Sequence, residues 1–178
     1  TLNVAYYGRM DKKGKGSDLF LEAVTKNNEA KPDAAKYHVY GDNQDEIDFD
    51  QYPFIEYHGI VSDDDLLQAY KDSDIVVMPS TYEPFGLVGL EAMASGCLLL
   101  APRGQGMDEY LTEDNHIRIE AKVESITEVL QEAIENHDKY TATKAAGVKT
   151  AAEWKPSEIA QKTLNLLKRL LETTEAKG

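Results

Sequence analysis

The chain of 178 residues is long enough for one domain with a buried core, since 42% of its residues are hydrophobic and 29% are charged. A formal net charge of −13 argues against nucleic acid and anionic membranes as partners. The single cysteine, Cys97, excludes a disulfide within the chain and lies in an apolar run typical of a buried strand. The chain also opens at Thr1 without a signal-peptide pattern, so we expect a cytoplasmic location.

A basic, glycine-containing loop follows the first predicted strand, Leu2 to Tyr7. This loop, residues 8–16, holds three glycines and four of the nineteen basic residues of the chain. A helix is predicted next, from Ser17 to Asn28, with Ser17 as its N-cap. Cations on a glycine-permissive loop between a strand and a helix suit an anion such as a diphosphate. A loop that is merely solvated is the alternative.

Two further strands are predicted at Tyr37–Gly41 and Phe54–Gly59. The acidic segment 42–50 lacks the mid-loop glycine and the closing glutamate of a calcium loop, so a solvated loop is favoured. Residues 59–65 then form the cap of a helix. His58 is interpreted as structural, because a histidine at the end of a strand is more often structural than catalytic.

The most informative stretch runs from residue 75 to residue 96. Its apolar start, Ile75 to Met78, predicts a strand, and Leu87, Leu90 and Met93 at helical spacing predict a helix. The backbone N–H groups that open such a helix lack partners within it, and the helix dipole adds partial positive charge there. The turn between strand and helix is therefore suited to an anion such as a diphosphate.

Two glutamates flank this predicted anion site. Glu83 lies in the turn before the helix, and Glu91 lies within the helix. Carboxylates that faced a phosphate would repel it, so we expect both to accept hydrogen bonds from sugar or ribose hydroxyls on either side. The pattern predicts a nucleotide-sugar as the ligand. A buried helix with an ordinary glutamate in its leading turn is the alternative.

The remaining sequence completes an alternation of strands and helices. Further elements are predicted at Cys97–Ala101, His116–Ile119, Ser125–His137, Tyr140–Ala152 and Ser157–Thr173. This alternation predicts an α/β fold, a doubly wound Rossmann-like parallel sheet in one domain over residues 1–178, closed by C-terminal helices. A ligand is expected outside the carboxyl ends of the strands, where the loops that leave the strands converge. These loops carry Arg9, Lys15, Gly59, Glu83 and Gly106.

The segments Ser80–Leu87, STYEPFGL, and Leu90–Gly96, LEAMASG, resemble the Glu-x7-Glu signature of the group 1 family of retaining glycosyltransferases with the GT-B fold. The resemblance is ungapped and implies the C-terminal, donor-binding half of an enzyme similar to glycogen synthase or sucrose synthase. It implies transfer of a glycosyl unit from a nucleoside-diphosphate sugar to a hydroxyl of a polysaccharide, glycolipid or similar acceptor. The N-terminal acceptor-binding domain is expected to lie outside these 178 residues, so this chain alone should turn over poorly.

The resemblance also implies roles for single residues. Glu83 would contact the donor sugar, Glu91 the ribose hydroxyls, and Arg9 and Lys15 the diphosphate, with Lys13 as a competitor of Lys15. Catalytic roles fall to Glu83, Arg9 and Lys15, and no side chain is nominated as a base. The other expected contacts to substrate are Gly8, Gly41, Ile60, Val61, Leu66, Phe85, Gly86, Leu87, Gly106 and Glu109.

The chain departs from the family's pattern at Gln105, which replaces the first glycine of Gly-Gly-x-x-Glu and is a candidate to add its side chain to the site. Two Asp-x-Asp spacings, in residues 63–65 and 72–74, are interpreted as a helix cap and a strand lead-in. We therefore expect no metal and no other cofactor. The alternatives are a sugar-nucleotide binding module without catalysis, a GT-B epimerase or phosphorylase, and an interaction domain without a ligand.

Overall fold

Six parallel strands form one open sheet in the order β3-β2-β1-β4-β5-β6 in the computed structural model, which describes residues 1–154 and residue 157. The strands are β1 (Leu2–Tyr7), β2 (Ala35–Tyr40), β3 (Ile55–Gly59), β4 (Ile75–Val77), β5 (Leu98–Ala101) and β6 (Ile117–Arg118). Every pairing between neighbouring strands is parallel. The strand order is that of the doubly wound Rossmann fold, so the predicted fold class is confirmed.

Five α-helices cover the two faces of this sheet in the described part of the chain. They are α1 (Ser17–Ala30), α2 (Asp63–Asp72), α3 (Leu87–Ala94), α4 (Val123–Glu135) and α5 (Thr141–Glu153). None of the helices in residues 1–154 is both long enough and apolar enough to cross a bilayer. The predicted helix at residues 157–173 lies, beyond its first residue, outside the described residues.

Two hydrophobic cores lie on opposite faces of the sheet because alternate strand residues point to opposite sides. Val4 and Tyr6 of β1 belong to the core that includes α1 and α4. Ala5 and Tyr7 belong to the core that includes α2, α3 and the partly buried Ala151 of α5. The chain order reverses between β1 and β4, which are direct neighbours. The loops that leave these two strands therefore share one place at the carboxyl edge.

The predicted N-cap of α1 is wrong. Gly16 occupies that position in the left-handed conformation, with φ of 66°, and Ser17 is the first helical residue, fully buried. A Cβ at position 16 would overlap the carbonyl oxygen of Pro79. The approach of the segment after β4 therefore selects glycine here, and tertiary contact overrides the capping preference of serine.

The ends of β1 and β2 also meet through glycines. The N–H of Gly8 donates to the carbonyl of Tyr40 at 2.9 Å, and that of Gly41 donates to the carbonyl of Gly59 at 2.8 Å. Gly41 has φ of 136°, and a Cβ there would overlap the carbonyl oxygen of Gly8. Gly41 thus allows two strand ends to approach more closely than any side chain permits.

We predict that Gly41→Ala lowers the free energy of unfolding by about 2–4 kcal/mol, because it adds a clash with backbone to an unfavourable φ. Urea unfolding followed by circular dichroism measures this loss. Gly104→Ala is the matched control, because Gly104 has φ of 88° with nothing within 4 Å of its Cβ position. Its loss should be about 1 kcal/mol. Equal losses in the two variants would contradict the steric explanation.

Candidate functional site

A cavity of about 230 Å³ opens at the carboxyl ends of β1, β2 and β3, beside the start of α3. It is lined by Tyr7, Gly8, Tyr40, Gly41, Gly59, Ile60, Val61, Leu66, Tyr70, Val88 and Glu91. The structure thus brings six of the predicted site residues together around one cavity: Gly8, Gly41, Ile60, Val61, Leu66 and Glu91. The lining is mostly apolar with a carboxylate, a composition suited to a flat ring that carries polar groups on one side.

A column of stacked aromatic rings runs through this region. The ring of Tyr7 stacks between Tyr70, at 4.0 Å between centroids, and Tyr40, at 4.9 Å. His58 stacks on Tyr40 at 4.2 Å. Burial raises the pKa of Tyr7 and of Tyr70, so both hydroxyls remain protonated near neutral pH.

The tyrosines of this column were not predicted as site residues from the sequence, although a local pattern indicated two of them. Tyr7-Gly8 and Tyr40-Gly41 both place a tyrosine directly before the glycine that ends a strand. The two tyrosines are paired in the register of β1 and β2, and therefore lie side by side on one face. Their repetition at adjacent strand ends could have predicted an aromatic wall.

Glu91 is fixed at the cavity by a tyrosine. The Tyr70 hydroxyl donates to Glu91 Oε2 at 2.8 Å, and Glu91 lies one turn after Leu87, where α3 begins. An ionised carboxylate has about four acceptor sites, so a single hydrogen bond leaves capacity for vicinal hydroxyls. The geometry agrees with the ribose role that the sequence predicts for Glu91, and that role stays a prediction.

The second centre is an ion pair between Lys15 and Glu83. Their Nζ and Oε2 atoms lie 2.5 Å apart, with the side chains 26% and 9% exposed respectively. The N–H of Glu83 donates to the side-chain oxygen of Gln105, whose amide donates to the carbonyl of Ser80 at 3.0 Å. Gln105 does lie at the site, where it holds the backbone of the turn that carries Glu83.

The basic loop is attached to this turn through its backbone. The carbonyl of Gly14 accepts hydrogen bonds from the N–H groups of Thr81 and Tyr82 at 3.0 and 3.2 Å. The Thr81 hydroxyl donates to the carbonyl of Lys13 at 2.9 Å, while the Lys13 side chain is exposed. The geometry therefore favours Lys15 over Lys13 as the lysine that acts beside Glu83.

Arg9 lies on the same loop with its side chain 55% exposed. Its guanidinium approaches the Asp11 carboxylate at 3.9 Å, at the outer limit for an ion pair. The Tyr6 hydroxyl donates to the Arg9 carbonyl at 2.7 Å, which fixes the backbone there. A fixed backbone with a loosely held guanidinium suits a residue that reaches toward an anion.

The start of α3 lies between the cavity and the ion pair. Gly86 is its N-cap in the left-handed conformation, with φ of 78°, and Leu87, which is 63% exposed, begins the helix. The side chain of Phe85 packs instead on Tyr110 and Trp154. At Phe85 only the backbone amide is thus suited to a ligand.

The loop after β5 supports this turn from the other side. A Cβ at Gly106 would overlap the carbonyl of Pro84, and the Gly106 N–H donates to the Glu83 carbonyl at 3.2 Å. Glu109 ends a short 3-10 helix and is exposed. The structure gives Gly106 a packing role, while contacts of Gly106 and Glu109 with substrate stay predictions.

The family model described as "Glycosyl transferases group 1" matches residues 1–136. The chain belongs to this family. Among relatives of this glycosyltransferase chain, sulfoquinovosyl transferase SQD2 of Arabidopsis thaliana is 46% identical over 56 residues, which are 32% of the chain and 11% of the relative. Mannosylfructose-phosphate synthase of Agrobacterium fabrum is 33% identical over 96 residues, 46% of the chain and 21% of the relative.

Solved structures share the fold. Anabaena HepE, crystallised with UDP-glucose, aligns with a TM-score of 0.81 and 18% identity over 95% of this chain and 49% of its own. The C-terminal domain of a group 1 glycosyl transferase (LpcC) from Francisella tularensis aligns with a TM-score of 0.73 and 25% identity over 85% of each chain. This glycosyltransferase chain therefore spans about half of HepE and smaller parts of the two sequence relatives.

We predict that Lys15→Met destabilises this glycosyltransferase domain by about 2 kcal/mol, because it leaves the Glu83 carboxylate nearly buried without a cation. Adding Glu83→Gln should recover most of the loss, so a double-mutant cycle of urea unfolding should give a clear coupling. Lys122→Met is the matched control, since Lys122 and Glu120 form an exposed pair with 68% and 59% exposure. Lys122→Met should lower the free energy of unfolding by less than about 0.5 kcal/mol. A loss in Lys15→Met as small as that in Lys122→Met would contradict the account.

Proposed function

We propose that this chain binds a nucleoside-diphosphate sugar as the donor-binding domain of a retaining glycosyltransferase. The observation that carries the proposal is the position of α3. Its first turn separates an aromatic cavity with a carboxylate from an ion pair that includes a nearly buried glutamate. A base with its ribose, a diphosphate and a sugar follow one another in the same order in a nucleotide-sugar. The UDP-glucose complex of the structural neighbour HepE supports this choice of ligand class.

The cavity would hold the nucleobase and the ribose. Backbone groups near Gly41 and Ile60 would border the base, and Glu91 would accept hydrogen bonds from the ribose hydroxyls. Tyr70 already donates to one oxygen of Glu91, so the carboxylate is oriented before the ligand arrives. Such preorganisation lowers the entropy lost on binding.

The diphosphate would lie over the N-terminus of α3. The amides from Phe85 to Leu87 offer donors, and Arg9 and Lys15 offer positive charge close to the same turn. The pairing of Lys15 with Glu83 also reduces the repulsion that a lone carboxylate would exert on phosphate. We propose that these side chains and amides, rather than a metal ion, hold the diphosphate.

In the transfer step, the bond from the anomeric carbon to the diphosphate oxygen breaks, and negative charge grows on the leaving group. Arg9, Lys15 and the α3 amides would stabilise that charge, and Glu83 would orient the sugar through its hydroxyls. The acceptor would be bound by a domain outside these 178 residues, in keeping with a chain that spans about half of HepE. A cytoplasmic location stays a prediction that the single cysteine favours.

Glu91→Ala should weaken binding of the preferred nucleoside diphosphate by about 1–3 kcal/mol, because it removes the acceptors for the ribose hydroxyls. Isothermal titration calorimetry with UDP, GDP and ADP identifies the preferred ligand and measures the loss. Glu128→Ala is the matched control, because Glu128 is an exposed glutamate on α4. Unchanged affinity in Glu91→Ala would contradict the ribose role.

Arg9→Ala should weaken binding of the nucleoside diphosphate more than binding of the corresponding nucleoside, because the guanidinium would contact phosphate oxygens only. Calorimetry with the two ligands gives the difference directly, and the difference should shrink at high salt. Lys26→Ala on the exposed side of α1 removes an equal charge away from the site. An equal loss for nucleoside and diphosphate would rule out the diphosphate role.

A further inference from the structure

Three potential metal ligands meet on β2 and β3. His38 and Glu56 are partners in the parallel register, and His58 follows Glu56 by two residues on the same face. His38 Nδ1 lies 3.1 Å from His58 Nε2 and 3.2 Å from Glu56 Oε2. All three ligand atoms lie within 4.8 Å of one another.

The hydrogen bonds of Asn3 decide which nitrogen of His38 carries the proton. The Asn3 amide nitrogen donates to the carbonyl of Asp72 at 2.8 Å, so its oxygen faces His38 Nε2 at 3.3 Å. That oxygen accepts only, and Nε2 must therefore carry the hydrogen. The lone pair of a neutral His38 then lies on Nδ1, toward His58 and Glu56.

In a neutral His38, the lone pair of Nδ1 faces two groups at once. His58 Nε2–H can donate to His38 Nδ1, but the Glu56 carboxylate still faces the lone pair of His38 across 3.2 Å. Two electron-rich atoms at that distance repel each other unless a proton or a metal ion lies between them.

The two distances from His38 Nδ1 fit a shared metal ion. Ligand atoms about 2.0–2.1 Å from a tetrahedral ion lie about 3.3 Å from each other, close to the two distances from His38 Nδ1. Asn3 supplies the outer acceptor that usually orients a metal-bound histidine. Two imidazoles and a carboxylate suit zinc, cobalt, nickel or copper, rather than magnesium or calcium.

We propose that His38, Glu56 and His58 form a binding site for a divalent transition-metal ion of the zinc class, with water completing the coordination. Glu56 is 66% exposed, which leaves a path for the ion to enter. His58 stacks on Tyr40, a residue of the cavity wall, so a bound ion would restrain that wall. The site is separate from the Lys15 and Glu83 pair and does not depend on the proposed function.

Cobalt titration of the tag-free chain, followed by visible d–d absorption, tests the proposal with the metal alone. We expect saturation at a single equivalent, displacement by Zn²⁺ and no displacement by excess Mg²⁺. His58→Gln and Glu56→Gln should each weaken binding at least about tenfold. Both positions lie on β3, the edge strand of the sheet, and far-UV circular dichroism verifies that each variant is folded.

His137→Gln is the matched control, because it removes a histidine of the segment between α4 and α5 and should leave the cobalt affinity unchanged. The absence of saturable cobalt binding to the folded chain would overturn the proposal. Equal binding by the native chain and the His58→Gln, Glu56→Gln double variant would overturn it as well. Because no nucleotide is present, neither result bears on donor binding.

Discussion

Close approach of backbone segments at the carboxyl edge is the constraint on which the rest of this structure depends. Three glycines lie where a Cβ would overlap a carbonyl oxygen: Gly16 against Pro79, Gly41 against Gly8, and Gly106 against Pro84. Each contact joins loops that leave different strands. Together they hold the basic loop, the Glu83 turn and the start of α3 within one site. Residues with a Cβ at these positions would keep the loops further apart.

A second physical problem is how a chain with a net charge of −13 could bind a diphosphate. The answer that the structure supports is local. Lys15 lies within 2.5 Å of Glu83, the exposed Arg9 extends from the same loop, and α3 presents its N-terminal amides between them. At physiological salt, interactions between exposed charges fade beyond about 8 Å, so nearby cations matter more than the distant acidic surface.

The sequence was most informative where local patterns decide the structure. The apolar run at Ile75 and the helical spacing after Leu87 predicted β4 and α3, and the alternation of elements predicted the sheet. Ser17 was wrongly predicted as an N-cap because Pro79, far along the chain, requires glycine at position 16. The cluster of His38 with His58 depends on the register of β2 and β3, a non-local pairing that no local pattern specifies.

The most direct test of the central claim is a titration of the ¹⁵N-labelled chain with UDP, GDP and ADP, followed by amide chemical shifts. Our account predicts that one of them shifts the amides of Gly41, Ile60 and Leu87, on both sides of the α3 N-terminus. Magnesium should not be required. Shifts centred elsewhere, such as the acidic groove near Asp45 and Tyr52, or the absence of shifts with all three nucleotides, would contradict the account.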